Sequence, residues 1–218
     1  DIQLAKTLKT IYKKEQFHMV FHFTIKPVIY GSWAARRARI PQISVITVLG
    51  YTFIRKGSIT RFAKCLYRYA LRTANEVWFL NQEDKRLFVE QNLVSPFKAR
   101  LILGEGVDVR KYQSNSELSV SPYTFLFIGR VLWDKGVGEF VEAAKVVKKQ
   151  HPHVQFNVLG PLGASNPASI SQEQMEQWER LGVVRYLGKT TDVIPYISSA
   201  SCIVLPSYRE GISRVLFE

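Results

Sequence analysis

Residues 123–138, YTFLFIGRVLWDKGVG, decide the fold class of this chain. The run FLFI has the length and apolar composition of a buried strand, and Gly129 ends it. A helical pattern follows at residues 139–150, so Arg130 and Lys135 lie in the loop between a strand and a helix. Unpaired backbone N–H groups and the helix dipole make such a loop favourable for an anion. The stretch therefore predicts either a diphosphate site or an ordinary turn with two solvated cations.

A second stretch of the same kind lies at residues 202–211, CIVLPSYREG. Its first five residues indicate another buried strand, and Glu210 follows in the loop. A helix beginning at residue 212 would place Glu218 about two turns along. The backbone N–H groups then available to a phosphate would be those of Gly211, Ile212, Ser213 and Arg214. Two such carboxylates suit the hydroxyls of a sugar and a ribose, although two glutamates at this spacing also occur by chance.

Strand and helix patterns alternate along most of the remaining chain. This alternation predicts an α/β fold with parallel sheets that carry helices on both faces. We place a domain boundary near residue 118, within a serine-rich linker at residues 115–122. The N-terminal domain is thus residues 1–118, and the C-terminal domain is residues 119–218. The chain begins inside a predicted helix and ends where another should continue, so we expect both domains to be incomplete.

The formal net charge of the 218 residues is +12, and nearly all of it belongs to the N-terminal half. Residues 1–118 carry 20 Lys and Arg against 9 Asp and Glu, whereas residues 119–218 carry 10 against 9. Between Glu15 and Glu76 there is no acidic residue. Such an excess favours a polyanionic partner, either an anionic membrane or a nucleic acid. Because no DNA- or RNA-binding signature accompanies the charge, nucleic acid ranks well below the membrane.

The predicted helix at residues 58–73 concentrates this charge. Four cations three or four residues apart fall on one stripe, namely Arg61, Lys64, Arg68 and Arg72. The neighbouring stripe, which should be buried, consists of Phe62, Leu66 and Tyr69. Ser58 or Thr60 is the expected N-cap. The basic stripe can be a solvated surface, but the acid-free sequence around it favours a docking face for anionic lipid.

The composition also bears on the compartment. No apolar run reaches the length of a membrane span. Cys65 and Cys202 lie in a helix-like and a strand-like segment, which suits free thiols in a reducing cytoplasm. His18 and His22 lack partner ligands at suitable spacing, so we interpret them as strand residues rather than metal ligands. We expect a cytoplasmic protein that binds peripherally to the inner face of the cytoplasmic membrane.

Four motifs resemble, in order and spacing, the C-terminal half of retaining, nucleotide-sugar-dependent glycosyltransferases of family 4. They are FIGRVLWDKG at 127–136, VLGP at 158–161, LGKTTDV at 187–193 and LPSYREGISRVLFE at 205–218. The segment TIKPVIYGSWAAR at 24–36 resembles bacterial enzymes that build lipid-linked oligosaccharides and surface polysaccharides. The resemblance implies the GT-B fold of two Rossmann-like domains, here without the first strands of one and the last helices of the other.

The resemblance also assigns roles to particular residues. Arg130, Lys135 and Glu210 would be catalytic, because the two cations stabilise the leaving diphosphate while the carboxylate orients the sugar. Glu218 would hold the ribose. The other residues expected to bind the donor, which we take to be a UDP-sugar, are Gly129, Gly136, Gly160, Lys189, Thr190, Gly211, Ile212, Ser213 and Arg214. Since cations can replace a metal at the diphosphate, no obligatory divalent ion is expected.

Residues of the N-terminal domain would face the donor sugar or the acceptor, which by resemblance is a lipid-linked sugar. Thr24 and Lys26 lie where a strand ends and a helix begins, and Gly50 and Tyr51 follow the next strand. Many family members carry a histidine before that glycine, whereas this chain has Leu49, which leaves the histidine's role in doubt. Two alternatives remain open: a sugar-nucleotide epimerase on the same fold, and a non-catalytic nucleotide-sugar sensor or partner subunit.

Overall fold

A computed structural model describes residues 1–47, 57–102, 104, 106–112, 122–163 and 166–218. The chain divides into two compact units, Asp1–Glu105 and Gly106–Glu218. Each unit contains a four-stranded parallel sheet, which confirms the predicted α/β class. The predicted boundary near residue 118 lies outside the described residues, as do most of the predicted linker, Leu49, Gly50 and Tyr51.

The sheet of the first unit has the strand order β1-β2-β3-β4. Its strands are β1 Val20–Phe23, β2 Gln42–Ile46, β3 Glu76–Phe79 and β4 Ala99–Leu101. Its α-helices are α1 Ile2–Glu15, α2 Ser32–Ala38, α3 Ser58–Leu71 and α4 Gln82–Glu90. A π-helix at Pro27–Gly31 leads directly into α2. Because neighbouring strands are parallel, all four end at the same edge of the sheet.

Helix α3 buries a different face from the one that the sequence indicated. Its buried residues include Ala63, Tyr67, Ala70 and Leu71. Tyr67 packs edge-on against Phe88 with ring centroids 5.4 Å apart, and this large aromatic contact orients the helix. Phe62 and Tyr69 are 66% and 47% exposed, so the prediction that their stripe is buried is wrong.

The start of α3 also differs from the prediction. The helix begins at Ser58, with Gly57 at the N-cap position and no capping side chain, so the expected cap at Ser58 or Thr60 is wrong. Helix α1 illustrates the opposite case, because Asp1 accepts a hydrogen bond from the backbone N–H of Leu4 at 3.2 Å. Glycine is tolerated as an N-cap at a cost of only a few tenths of a kcal/mol, which explains why α3 forms without a polar cap.

One histidine of the first unit is buried. His22 lies in β1 and is 2% exposed, as expected of a strand residue, whereas His18 is exposed and precedes the strand. The Nε2 atom of His22 lies 3.0 Å from the hydroxyl of Tyr12 on α1. Burial lowers the pKa of His22 to about 4, although a hydrogen bond with Gln42 acts in the opposite direction. The imidazole is therefore neutral at pH 7 and links α1 to the sheet.

The sheet of the second unit has the order β7-β6-β5-β8. Its strands are β5 Thr124–Ile128, β6 Gln155–Leu159, β7 Arg185–Tyr186 and β8 Cys202–Ile203. Its α-helices are α5 Val137–Gln150, α6 Gln172–Arg180 and α7 Ile194–Ser199. Its core contains Phe127, Phe140, Phe156, Met175 and Trp178. The apolar run FLFI in the opening stretch thus forms the last four residues of β5, as predicted.

Two predicted elements near the end of the chain are shorter than expected. Strand β8 ends at Ile203, although the N–H of Val204 still donates to the carbonyl of Leu126 at 2.9 Å. The predicted helix beginning at residue 212 is wrong, because the backbone of Ser213 is extended and only a single 3-10 turn forms at Arg214–Leu216. The N–H groups before Arg214 therefore do not form the first turn of an α-helix.

Candidate functional site

The carboxyl ends of β5, β6 and β7 are joined through glycine backbone. The N–H of Gly129 donates to the carbonyl of Leu159 at 3.0 Å, and the N–H of Gly160 donates to the carbonyl of Gly188 at 2.8 Å. A Cβ atom at Gly160 would lie 1.8 Å from the carbonyl oxygen of Gly129, so no larger residue fits there. These three glycines therefore form a compact edge at the side of the sheet where open α/β folds bind ligands.

The two loops singled out in the sequence meet each other. The Nζ atom of Lys135 donates to Oε1 of Glu210 at 2.5 Å, across 75 residues of sequence. The N–H of Tyr208 donates to the carbonyl of Asp134 at 3.2 Å. Gly136 has φ 73°, and a Cβ atom there would lie 2.1 Å from the carbonyl oxygen of Pro206. The close backbone approach explains why a glycine is required directly after Lys135.

The ion pair of this site is partly shielded from water. The side chains of Lys135 and Glu210 are 21% and 27% exposed. Partial burial strengthens their attraction relative to a surface pair, and the charge-assisted hydrogen bond holds both side chains in one geometry. The site thus presents a cation held in place by its own carboxylate, open enough for an incoming anion to share it.

Tyr208 was not predicted to belong to this site. Its hydroxyl donates to the carboxylate of Glu139 in the first turn of α5, and the ring is 73% exposed. This hydrogen bond lowers the pKa of Glu139 and raises the pKa of Tyr208. Nothing in the local sequence signals the pairing, because the two residues lie 69 positions apart.

Arg130 is exposed at the end of β5. Within the part of the chain that the structure describes, it forms no hydrogen bond or ion pair. Its guanidinium is therefore available to a ligand, but the structure does not bring it into contact with Lys135 or Glu210.

The second carboxylate predicted in the sequence has a different partner. Glu218 accepts a hydrogen bond from Nη2 of Arg214 at 3.1 Å, and its side chain is only 9% exposed. Burial raises the pKa of Tyr112, and a hydrogen bond with Glu218 raises it further. Tyr112 was not predicted as a neighbour of this carboxylate. Gly211, Ile212 and Ser213 are half-buried in the segment between the two glutamates.

Lys189 and Thr190 follow β7 in an exposed turn. The hydroxyl of Thr190 accepts a hydrogen bond from the N–H of Asp192 at 3.1 Å and donates to the carbonyl of the same residue at 2.9 Å. These bonds organise the turn internally, so the structure places both residues near the strand ends without joining them to the ion pair.

The basic stripe on α3 separates into two parts. Arg61 and Arg72 are exposed and Lys64 is half-buried, and none of the three forms an ion pair with any described residue. Arg68 instead donates from Nε and Nη2 to the carbonyls of Asn92 and Gln91, at 3.0 and 3.1 Å. Arg68 therefore has a structural role that the sequence did not indicate.

The described ranges contain neither a metal-binding cluster nor a membrane-spanning helix. No three His, Cys, Asp or Glu residues among them come together as a metal-binding group. None of the helices described is both long and apolar enough to cross a bilayer. Cys65 and Cys202 are both free.

Two family models match separate parts of the chain. One, described as "Glycosyl transferases group 1", matches residues 122–218, and the other, "Glycosyl transferase 4-like", matches residues 1–81. Together they cover the first three strands of the first sheet, all four strands of the second sheet and the Lys135–Glu210 site. These two parts of the chain are thus similar to group 1 and to 4-like glycosyltransferases, respectively.

Curated relatives match nearly the whole chain. A Campylobacter jejuni enzyme named N,N'-diacetylbacillosaminyl-diphospho-undecaprenol alpha-1,3-N-acetylgalactosaminyltransferase is 27% identical over 99% of this chain and 58% of its own length. An Escherichia coli UDP-Gal:alpha-D-GlcNAc-diphosphoundecaprenol alpha-1,3-galactosyltransferase is 27% identical over 100% of this chain and 59% of its own. The chain thus spans less than two thirds of the length of these relatives.

Solved structures show the same fold. Anabaena HepE in complex with UDP superposes with a TM-score of 0.75 at 20% identity, covering 97% of this chain and 58% of HepE. TarM gives a TM-score of 0.76 at 14% identity, covering 98% of this chain and 42% of TarM. These likenesses establish the GT-B architecture, with four strands of each sheet present in this chain.

Proposed function

We propose that the whole protein is a retaining glycosyltransferase that moves a sugar from a nucleotide-diphosphate donor to a lipid-linked glycan during bacterial polysaccharide assembly. The ion pair between Lys135 and Glu210 carries this proposal, because it unites the two loops whose sequences predicted a diphosphate site. The names of both 27% identical relatives specify undecaprenol-diphosphate-linked substrates. HepE was crystallised with UDP and with UDP-glucose, which supports a UDP-sugar as the donor.

The chemistry follows from where charge develops. When the bond between the sugar and the diphosphate breaks, its electron pair stays on the departing diphosphate, so negative charge grows there. Lys135 is already charged and positioned, and exposed Arg130 adds a second cation. Both interactions strengthen as the leaving group gains charge, which lowers the barrier. Glu210 orients the sugar through its hydroxyls while keeping Lys135 in place.

The remaining predicted residues bind the nucleotide. Glu218, which is bonded to both Arg214 and Tyr112, accepts the ribose hydroxyls in place of one of these partners. The glycine edge of Gly129 and Gly160 admits the donor close to the backbone, and Lys189 and Thr190 border the nucleobase. We also propose that no divalent ion is obligatory, because the cations of the site neutralise the diphosphate.

The acceptor is bound by the first unit, at the carboxyl end of β1. Thr24, directly after this strand, has φ 66°, a conformation that is strained for a β-branched residue. The π-helix that follows is also a rare element that concentrates at functional sites. Strain of this kind supports a functional role for Thr24 and the neighbouring Lys26.

The basic face of α3 holds the protein at the membrane. Arg61, Lys64 and Arg72 have no carboxylate partners among the described residues, and exposed Phe62 and Tyr69 lie beside them. Basic residues attract anionic lipid while aromatic rings enter the interface, so the combination favours a peripheral protein at the inner face of the cytoplasmic membrane.

The test compares two variants of the whole protein. Lys135→Met removes the cation but retains the length of the side chain, and it should lower kcat at least about a hundredfold. Lys149→Met, in the exposed last turn of α5, is the matched control and should retain activity. Product configuration is read by NMR, with retention of the anomer expected.

Three outcomes would contradict the proposal. Near-normal turnover of Lys135→Met would remove the role of the ion pair. Tight donor binding by the native whole protein without transfer to any lipid-linked sugar would instead favour a sensor. Conversion of the nucleotide-sugar to its epimer without an acceptor would favour an epimerase.

A further inference from the structure

A cavity of about 320 Å³ lies on the first unit between α1 and α2. Its lining consists of Ile2, Ala5, Lys6, Lys9, Trp33 and Arg37. The volume falls at the lower end of the range for small-molecule pockets. None of these residues belongs to the ion-pair site of the second unit or to the basic stripe of α3, so the cavity is a separate feature.

The polar part of the cavity is entirely cationic. Lys6, Lys9 and Arg37 line it, and no carboxylate does. Within the described ranges none of the three forms an ion pair. The nearest acid along α1, Asp1, is occupied as the N-cap of that helix. Three neighbouring cations without a counter-ion create a positive potential that attracts an anion.

The rest of the lining is apolar. Ile2 and Ala5 come from α1, and Trp33 comes from α2. The Nε1 donor of Trp33 is buried and has no hydrogen-bond acceptor among the described residues. Because the lining combines cations with apolar side chains, an occupant that brings both oxygen atoms and hydrocarbon suits it better than a bare inorganic anion.

Aromatic contacts connect the cavity to the exposed face of α3. The ring of Trp33 packs edge-on against Tyr69, with centroids 5.8 Å apart and planes at 86°. Arg36 donates from Nη1 to the Tyr69 hydroxyl at 3.3 Å, and its guanidinium lies 5.9 Å from the ring centroid. Phe62 is exposed two turns before Tyr69 on the same helix. A strip of aromatic side chains, half-buried at Trp33 and exposed at Tyr69 and Phe62, therefore runs from the cationic cavity across α3.

We propose that the cavity between α1 and α2 binds the phosphate head group of a membrane phospholipid. The cations at positions 6, 9 and 37 hold the phosphate, and the hydrocarbon lies along the strip of Trp33, Tyr69 and Phe62. Tryptophan and tyrosine favour this boundary between head groups and acyl chains. The inference rests on the proposed function at a membrane. It adds a specific binding site for one lipid to the nonspecific electrostatic attraction between α3 and the membrane surface.

The experiment measures lipid binding by the whole protein without any donor sugar. The cavity variant Lys6→Gln/Lys9→Gln/Arg37→Gln keeps polar side chains and removes three charges. The control Lys13→Gln/Lys14→Gln/Arg39→Gln removes the same charge outside the cavity, from the last turn of α1 and from the C-cap residue of α2. Affinity for phosphatidylcholine vesicles containing phosphatidylglycerol should fall at least about tenfold further in the cavity variant than in the control. Equal losses would overturn the proposal.

A second measurement locates the lipid. Quenching of tryptophan fluorescence by brominated phosphatidylglycerol should be strong in the native protein and largely lost in Trp33→Phe. Undiminished quenching in this variant would contradict occupation of the cavity.

Glycerol phosphate and inorganic phosphate are the soluble probes, and neither should displace the protein from vesicles. If either binds as tightly as the lipid, the site takes free phosphate and the lipid proposal fails. The glycosyltransferase proposal is not affected by that result, because donor turnover is not measured in this experiment.

Discussion

The cations of the two units are held in opposite ways. In the second unit, Lys135 is partly buried and bonded to Glu210, so its charge is localised and its position defined. In the first unit, Arg61 and Arg72 extend from α3 into solvent without a carboxylate partner among the described residues. A localised charge can act on one bond of a substrate, whereas dispersed charge acts on a surface. The proposed functions differ accordingly, with chemistry at the localised cation of the second unit and membrane attachment at the dispersed cations of the first.

The largest expected effect is on the stability of the second unit. In Gly160→Ala, the new Cβ atom would overlap the carbonyl of Gly129 and the backbone would keep an unfavourable φ of 146°. We expect a loss of roughly 4 kcal/mol or more in the free energy of unfolding, or failure to fold. Urea denaturation measures it.

Gly182→Ala is the matched control for this substitution. Gly182 also has a positive φ, but nothing lies within 4 Å of its added Cβ atom. The free energy of unfolding of Gly182→Ala should therefore fall by only about 1 kcal/mol. If both variants lost the same amount, close backbone packing at the strand ends would not be what defines the site.

The dispersed charge of the first unit is tested on vesicles. The triple reversal Arg61→Glu/Lys64→Glu/Arg72→Glu should weaken binding to phosphatidylglycerol-containing vesicles by roughly 3 kcal/mol or more, about 1 kcal/mol for each cation lost. Arg68 is left intact because it bonds to two backbone carbonyls. Co-sedimentation gives the affinity for the vesicles. A higher salt concentration should also weaken vesicle binding by the native protein, because salt screens the attraction between the charges. Unchanged binding would remove the contrast between the units.

The pH dependence tests the one buried histidine of the cation-rich unit. Because burial lowers the pKa of His22 to about 4, the unfolded chain binds its proton first as pH falls. The contribution of His22 to the free energy of unfolding is therefore fully present above pH 6.5. It should be lost progressively between pH 6.5 and 4, which lowers the free energy of unfolding by up to roughly 3 kcal/mol. His22→Gln should flatten this dependence, whereas exposed His18→Gln should retain it. A steep decline in His22→Gln would refute the assignment.

The smallest effect compares two ion pairs directly. A double-mutant cycle on Lys135 and Glu210 should give a coupling free energy of about 1 kcal/mol or more, since both side chains are partly buried. The same cycle on exposed Arg86 and Glu90 of α4 should give about 0.5 kcal/mol or less. Equal couplings would show that partial burial does not strengthen the Lys135–Glu210 pair.

Local patterns predicted the elements better than their packing. The strand in FLFI and the helices α3 and α5 depend on composition and periodicity within the segment, and they form close to where the sequence predicted them. The burial of Tyr67 rather than Phe62 depends on a partner, Phe88, that lies 21 residues away in sequence. Likewise, the loop after β8 does not become an α-helix because Ser213 is extended, which no residue pattern signals.

The sequence by itself determined the class of fold, the uneven distribution of charge and the two loops that carry Lys135 and Glu210, because each follows from composition and periodicity over short segments. Only the tertiary structure decided that these loops touch, that Arg68 is structural and that three cations share a cavity between α1 and α2. Such contacts join residues far apart in the chain, and their distances are set by the packing of whole sheets and helices.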